Sequence, residues 1–239
     1  MKAVIIAGGK GKRLKPLTDT VPKPMIEVDG KPILFHTLNL LKSHGIKDFI
    51  IALCYLPEKI VSYFGDGSKF GMRIEYTYED PLNPLGTAGA VTLGKKHIKE
   101  TFIVTYADIV RELDVTEMLK WHKKTRAFAT LNVYKRKSRG AKSAVTFNKN
   151  KKILEFTERP SVKGAPDEFL WANGSFYILE PEIFDFVPES EKNDFGADIF
   201  PKLLASKKAL RAYPTEDYFM DIGDLPKLEL ARKTFRKWQ

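Results

Sequence analysis

Residues 3–25 read AVIIAGGKGKRLKPLTDTVPKPM, and no other stretch of the chain constrains its fold as strongly. Residues 3–7 are a continuous apolar run, the pattern of a central parallel strand covered on both faces. Gly8, Gly9 and Gly11 follow at once. Glycines permit unusual dihedrals and close approach of backbone to a ligand. Lys10, Lys12, Arg13 and Lys23 bring positive charge to the same place. Turned backbone N–H groups and cations both favour anions, so the segment suits a polyphosphate.

Two common phosphate loops are excluded. A P-loop needs Ser or Thr after a Gly-Lys pair, and none follows here. A dinucleotide fingerprint through Gly9 and Gly11 would need a third glycine where Leu14 stands, so its close helix–sheet approach is not specified. The Gly-Gly-x-Gly turn alone also reads as a surface turn carrying lysines. The Arg-Leu-x-Pro-Leu-Thr and Pro-Lys-Pro extensions set it apart.

The chain has 239 residues, one large domain or two small ones. A chain of that size buries roughly 70–75% of its unfolded surface and needs no disulfide or metal staple. Its one cysteine, Cys54, borders the apolar run 49–53 and reads as a small buried hydrophobe. A reducing cytoplasm fits. No stretch approaches the ~20 apolar residues of a membrane span, and the short first apolar run is no secretory signal. The net charge of +10 is largely dispersed. The basic clusters lack interleaved aromatics or a recognised nucleic-acid motif, so they read as solvated surface. The four histidines are scattered, without metal-ligand spacing.

The first half alternates strand and helix. Strands are expected over 2–7, 49–53, 73–78 and 102–106. Helices are expected over 31–44 with Gly45 as its stop, over 58–64 behind Pro57, and from about Thr87. That order argues for a doubly wound, mostly parallel sheet, with ligands at the carboxyl ends of its strands. The second half predicts strands over 128–134, 144–147, 153–156 and 175–179, then helices near 198–205 and 225–237. It reads as an extension of the same sheet: one domain, with a nucleotide-binding half over 1–110 and a sugar-binding half over 111–239.

With its extensions the opening segment resembles the sugar-phosphate nucleotidyltransferases, whose pattern is G-G-x-G-x-R-L-x-P-L-T followed by P-K-P. Here it stands as Gly8 to Thr18, then Pro22-Lys23-Pro24. The resemblance implies a Rossmann-like α/β fold, that of the nucleotide-diphospho-sugar transferases. It implies an enzyme joining a sugar 1-phosphate to a nucleoside triphosphate, with release of pyrophosphate. Arg13 and Lys23 stand where the family has its catalytic cations. Arg13 can bind phosphate oxygens with its planar fork, and Lys23 is fixed between two prolines.

The nucleotide is expected on Ala7, Gly8, Gly9, Gly11 and Lys12. Pro84-Leu85-Gly86-Thr87-Ala88-Gly89 is similar to the family's base and ribose loop, which adds Gly86 and Thr87. There the following helix is expected to offer free N–H groups, and Thr87 also reads as its N-cap. Asp108, in Tyr106-Ala107-Asp108, and Asp221, in Asp221-Ile222-Gly223, match the family's Mg²⁺ carboxylates. Either one alone also reads as a turn cap. The family places Gly where Ala107 stands. Asp224 is expected to cap the last helix.

Phe156-Thr157-Glu158-Arg159-Pro160 is similar to F-x-E-K-P, which assigns Glu158 to sugar hydroxyls and Arg159 to the sugar phosphate. Asn173 and Gly140 complete the expected sugar contacts. Asp198 reads as the cap of its own helix, ahead of a core Phe200. Within the family the opening and the 84–89 loop are most similar to mannose-1-phosphate guanylyltransferases. Heptose enzymes and glucose-1-phosphate enzymes using dTTP or UTP are close rivals. Mg²⁺ is the expected cofactor, and a nucleoside triphosphate and a sugar 1-phosphate the expected partners. Nucleic acid and membrane are not expected, and homo-oligomer formation is left open. Some proteins of this fold are regulatory subunits; Arg13, Lys23, Asp108 and Asp221 together favour an enzyme. No further enzyme or hexapeptide-repeat segment is legible, which reads as a stand-alone catalytic unit.

Overall fold

A computed structural model describes residues 1–135, 143–158, 171–189 and 191–236. In chain order it begins with β1 (Lys2–Ala7), β2 (Glu27–Val28), β3 (Lys31–Pro32), α1 (Ile33–Ser43), β4 (Asp48–Leu53), α2 (Pro57–Phe64) and β5 (Arg73–Tyr78). There follow α3 (Gly86–Thr92), β6 (Phe102–Tyr106), β7 (Ile109–Arg111), α4 (Val115–Thr125), β8 (Ala129–Lys135), β9 (Ser143–Phe147) and β10 (Ile153–Glu158). The last elements are β11 (Trp171–Leu179), α5 (Phe200–Ala205), β12 (Leu210–Thr215), β13 (Phe219–Asp221) and α6 (Leu225–Thr234). The chain is mixed α/β, and the strands of its larger sheet pair mostly in parallel, as expected.

Two compact units interleave along the sequence. The first holds Lys2–Pro84, Tyr106–Leu113 and the chain from Tyr218 onward. Within it β1, β4 and β5 pair in parallel, with Ile5 opposite Ile51 and Ile51 opposite Tyr76. Ala3, Val4, Ile5 and all of residues 49–53 are at most 1% exposed, so these strands are buried on both faces.

Helix α1 starts two residues later than its periodicity suggests. Val28 pairs with Lys31 across Asp29 and Gly30, which both have positive φ (48° and 69°). That is the tight Asp-Gly hairpin, and it takes Lys31 and Pro32 into a strand. The helix ends as expected at Gly45, whose φ is +83°. Gly45 N donates to Lys42 O and Ile46 N to Leu41 O, the paired bonds of a Schellman cap.

One core cluster of this unit joins Leu14, Ile26, Val28, Ile33, Val110, Ile222, Leu228, Ala231 and Phe235. It ties the segment after β1 to α1, β7 and α6. Strands β7 and β13 pair antiparallel, Asp221 opposite Ile109 and Phe219 opposite Arg111.

The second unit holds Leu85–Thr105 and Asp114–Asp217. Here β11 pairs antiparallel with β6 and β8, and β12 lies parallel to β8. Strands β9 and β10 form a separate antiparallel pair. Strand β11 starts at Trp171, earlier than expected, and carries an irregularity between Asn173 and Tyr177. Asn173 Oδ1 accepts from Ser175 N at 3.0 Å, and Ser175 takes a φ of +53°. A local side-chain turn thus hides the alternation that would mark the strand.

A π turn over Phe195–Ile199 leads into α5. Asp198 lies inside that turn and accepts from Asp194 N at 2.7 Å, so it does not cap α5. Phe200 is fully buried against Phe156, Tyr177 and Phe195, the core role expected of it. No helix among the described residues is long and apolar enough to cross a membrane.

Candidate active site

In the first unit the glycine loop leaves the carboxyl end of β1. Gly11 has a φ of +60°, and a Cβ there would lie 2.9 Å from Thr18 Cγ2 and 3.3 Å from Lys23 Cβ. Only glycine takes both that conformation and that proximity without strain. Thr18 Oγ1 donates to Gly11 O at 3.0 Å, and Tyr55 Oη donates to Thr18 O at 2.9 Å. The Thr of the opening motif is therefore a brace for the loop. A Cβ on Gly8 would lie 2.9 Å from Glu79 Oε1 and 3.1 Å from Cys54 Cβ, whereas Gly9 has open space around it. Cys54 is buried, as expected, and burial, with Glu79 beside it, pushes its thiol pKa up.

Lys12, Arg13 and Leu14 form a short turn in which Lys12 and Arg13 are exposed and Leu14 is fully buried. Arg13 Nη1 is 3.8 Å from Asp224 Oδ2. Asp224 also accepts from Lys227 N at 3.1 Å, the expected N-cap of α6. A Cβ on Gly223 would lie 2.8 Å from Arg13 Nη2, so the guanidinium lies across the Ile222-Gly223 backbone.

Lys23 is held in a turn between Pro22 and Pro24, and its side chain is only 10% exposed. Its Nζ donates to Asp108 Oδ2 at 2.5 Å and lies 3.9 Å from Asp221 Oδ1. Backbone bonds fix both carboxylates: Ala107 N donates to Ile6 O at 3.0 Å, and Ile222 N donates to Asp108 O at 3.1 Å. The methyl of Ala107 is accommodated in a site 1% exposed, so Ala in place of the family's Gly leaves the backbone packed here. The β7–β13 ribbon, which the sequence did not announce, is what brings the two aspartates together.

The donor set fits a hard divalent cation. Two carboxylates converge beside one ammonium, and Mg²⁺ takes one or two protein carboxylates with water and phosphate oxygens completing its shell. Among the described residues no group of three or more His, Cys, Asp or Glu could hold a metal. A two-carboxylate site suits a cation that substrate phosphates help to bind.

In the second unit Gly86 and Thr87 open α3. The N–H of Thr87 donates to Asp194 Oδ1 at 3.1 Å, and those of Ala88 and Gly89 to Asn193 O at 2.8 and 3.2 Å. These helix-start donors are therefore taken internally and are not free as expected. Thr87 is not the N-cap either: a carboxylate remote in sequence does that work. A Cβ on Gly86, whose φ is +74°, would lie 2.7 Å from Asn193 O.

Glu158 lies against Gly196, where a Cβ would come 2.5 Å from Glu158 Oε2. Asn173 Nδ2 donates to Tyr177 Oη at 2.7 Å, so its amide shapes the β11 irregularity. Gly140 and Arg159 lie outside the described residues.

Residues 2–237 match the profile of the Nucleotidyl transferase family. The chain belongs to that family. It is 36% identical over 242 residues to a UTP–glucose-1-phosphate uridylyltransferase of Synechocystis sp., across 95% of this chain and 61% of that protein. It is 31% identical over 223 residues to a mannose-1-phosphate guanylyltransferase of Mycobacterium tuberculosis, across 92% of this chain and 60% of that protein. The chain thus spans about three fifths of the length of these curated relatives. Among solved structures, HddC of Yersinia pseudotuberculosis complexed with GMP-PN superposes with a TM-score of 0.81 at 25% identity, over 98% of this chain and 99% of that one. The sequence of this nucleotidyl transferase did not single out Glu79, which lies against Gly8, or Asp194, which accepts from Thr87. Their only signal is position: Glu79 follows β5, and Asp194 precedes the buried Phe195.

Proposed function

We propose that this chain is a Mg²⁺-dependent sugar-1-phosphate nucleotidyltransferase, and that Arg13, Lys23, Asp108 and Asp221 carry its chemistry. The observation behind this reading is Lys23 Nζ standing between Asp108 and Asp221 in a largely buried position.

In this reaction an oxygen of the sugar 1-phosphate attacks the α-phosphorus and pyrophosphate leaves. The nucleophile is already anionic at neutral pH, because the second pKa of a phosphate monoester is about 6. No general base is needed. The barrier lies in bringing two anions together in line and stabilising the charge that moves. Lys23 does this with an ammonium held in place by Asp108 and by buried prolines, which need not reorganise during the reaction. Arg13, exposed beside the glycine loop, binds phosphate oxygens with its fork. Asp108 and Asp221 would hold Mg²⁺, which when bound supplies positive charge and a fixed template at the phosphate oxygens. Glu158 accepts from sugar hydroxyls.

Mannose 1-phosphate with GTP is the pair that the opening motif and the 84–89 loop favour. The relationship to the uridylyltransferase favours a second pair, glucose 1-phosphate with UTP. A matrix of pyrophosphate release decides: five nucleoside triphosphates against mannose, glucose and heptose 1-phosphates, with Mg²⁺ and with EDTA. Release with one pair, abolished by EDTA, is expected. Silence across the matrix, from folded protein, would leave a regulatory binding module in place of an enzyme.

A further inference from the structure

Three consecutive residues after Asn193 touch Thr87, Tyr177 and Glu158 in turn, and two of these are candidate substrate contacts. Asp194 Oδ1 accepts from Thr87 N at 3.1 Å and from Thr87 Oγ1 at 3.0 Å. Thr87 Oγ1 in turn accepts from Phe195 N at 2.9 Å, which closes the clasp. Backbone bonds reinforce it: Asn193 N donates to Leu85 O at 2.8 Å, opposite the two bonds that Asn193 O receives. The fit is as tight as the bonding. A Cβ on Gly86 or Gly89 would lie 2.7 Å from a backbone oxygen, of Asn193 and Glu191 respectively. The nucleotide loop and residues 191–195 therefore shift together or not at all, since close-packed surfaces do not deform continuously.

The other two residues face the sugar side. The Phe195 ring packs on Tyr177 at 5.3 Å between centroids, and Tyr177 Oη accepts from Asn173 Nδ2 at 2.7 Å. Gly196 abuts Glu158, a Cβ there being 2.5 Å from Oε2 and 3.3 Å from Phe156 Cε1. Residues 195–199 form a π turn, a geometry rare in general and frequent at functional sites. Glu158 thus lies against a residue two positions from Asp194, and Asn173 is joined to the same segment through the rings of Tyr177 and Phe195.

We propose that Asp194 is a positioning residue that couples the Gly86 and Thr87 loop to Glu158 and Asn173, so that nucleotide and sugar phosphate each bind more tightly when the other is in place. This rests on the proposed function, for it takes the loop as the nucleotide side and Glu158 as the sugar side. Coupling of this kind is reciprocal, and linked sites typically show a factor of about 5–150.

Initial rates over a grid of both substrates test it, using the pair that gives the fastest pyrophosphate release in the matrix above. Such a grid separates the binding constant of each substrate alone from its value with the other bound. In the wild type their ratio is expected to be several-fold. Asp194→Ala should bring it to about one, and Asp194→Asn, which keeps an acceptor oxygen for Thr87, should restore it. A merely structural role would lower melting temperature or yield and leave the ratio unchanged. Should Asp194→Ala not fold, Gly196→Ala is the second probe: it displaces Glu158 with the Thr87 clasp intact, and should lower both the ratio and sugar-phosphate affinity. A ratio of one in the wild type, or a wild-type ratio in a folded Asp194→Ala or Gly196→Ala, overturns the coupling. No turnover by the wild type with any pair fails the functional reading and the coupling together, whereas turnover with an insensitive ratio fails the coupling alone.

Discussion

Lys23 donates to Asp108 at 2.5 Å and stands 3.9 Å from Asp221, so one ammonium holds together two carboxylates remote in sequence. Without that charge the carboxylates would repel each other. Its stem is buried, so the ammonium is preorganised where phosphate charge would accumulate. Lys23→Met should therefore lower kcat by roughly 10²–10³, the loss typical of one preorganised donor. Steady-state pyrophosphate release on protein of unchanged circular dichroism measures it, and a kcat within a few-fold of wild type contradicts the role.

Asp108 and Asp221 are read as the protein's share of the Mg²⁺ shell. Replacing either by Asn keeps size and hydrogen bonding but removes a charge. Each change should raise the Mg²⁺ concentration for half-maximal rate by at least about 10-fold, the scale on which supporting groups of metal sites act. Titration of rate with Mg²⁺ at saturating substrates reads this directly. An unshifted midpoint in both variants would remove the aspartates from the metal site.

Arg13 is exposed and touches its own protein only loosely, at 3.8 Å from Asp224. A long exposed pair of that kind contributes little to stability. Arg13→Ala should thus leave the melting temperature nearly unchanged while lowering turnover roughly 10²–10³-fold. Arg13→Lys should recover part of it, because a point charge replaces a bidentate fork. A stability loss with normal turnover would make Arg13 structural.

Arg13 and Asp221 were legible as candidates because each stands in a motif that runs into a buried anchor. Arg13 precedes the buried Leu14, and Asp221 precedes the buried Ile222, both members of one core cluster. Strands β1, β5 and β6 were legible to the residue, since continuous or alternating burial leaves its period in the chain. The β7–β13 ribbon left no trace: three residues per strand carry no period. The Asp194 clasp on Thr87 was equally silent, because a helix start capped from remote chain has no local N-cap signal. The bond from Asn173 to Tyr177 was silent too, because it forms only once β11 is folded.

His122 plays no part in the proposed chemistry, yet it should set the acid limit of the fold. It is 2% exposed, with Nδ1 2.8 Å from Thr130 Oγ1 and Nε2 2.8 Å from Glu180 Oε1. Glu180 also accepts from Thr101 Oγ1 at 2.9 Å. A neutral ring with its proton on Nε2 satisfies both contacts: it donates to the carboxylate and accepts from the hydroxyl. Burial pushes the His122 pKa below its ordinary 6.5, and Glu180 only partly opposes this. The folded state therefore binds this proton less readily than the unfolded chain does. Its contribution to stability is complete above pH 6.5 and is lost as pH falls through the lowered folded value. Melting temperatures between about pH 5 and 8 should accordingly fall more steeply on the acid side for wild type than for His122→Gln, which cannot titrate there. Parallel curves for the two proteins would show that burial of His122 is not what acid disrupts.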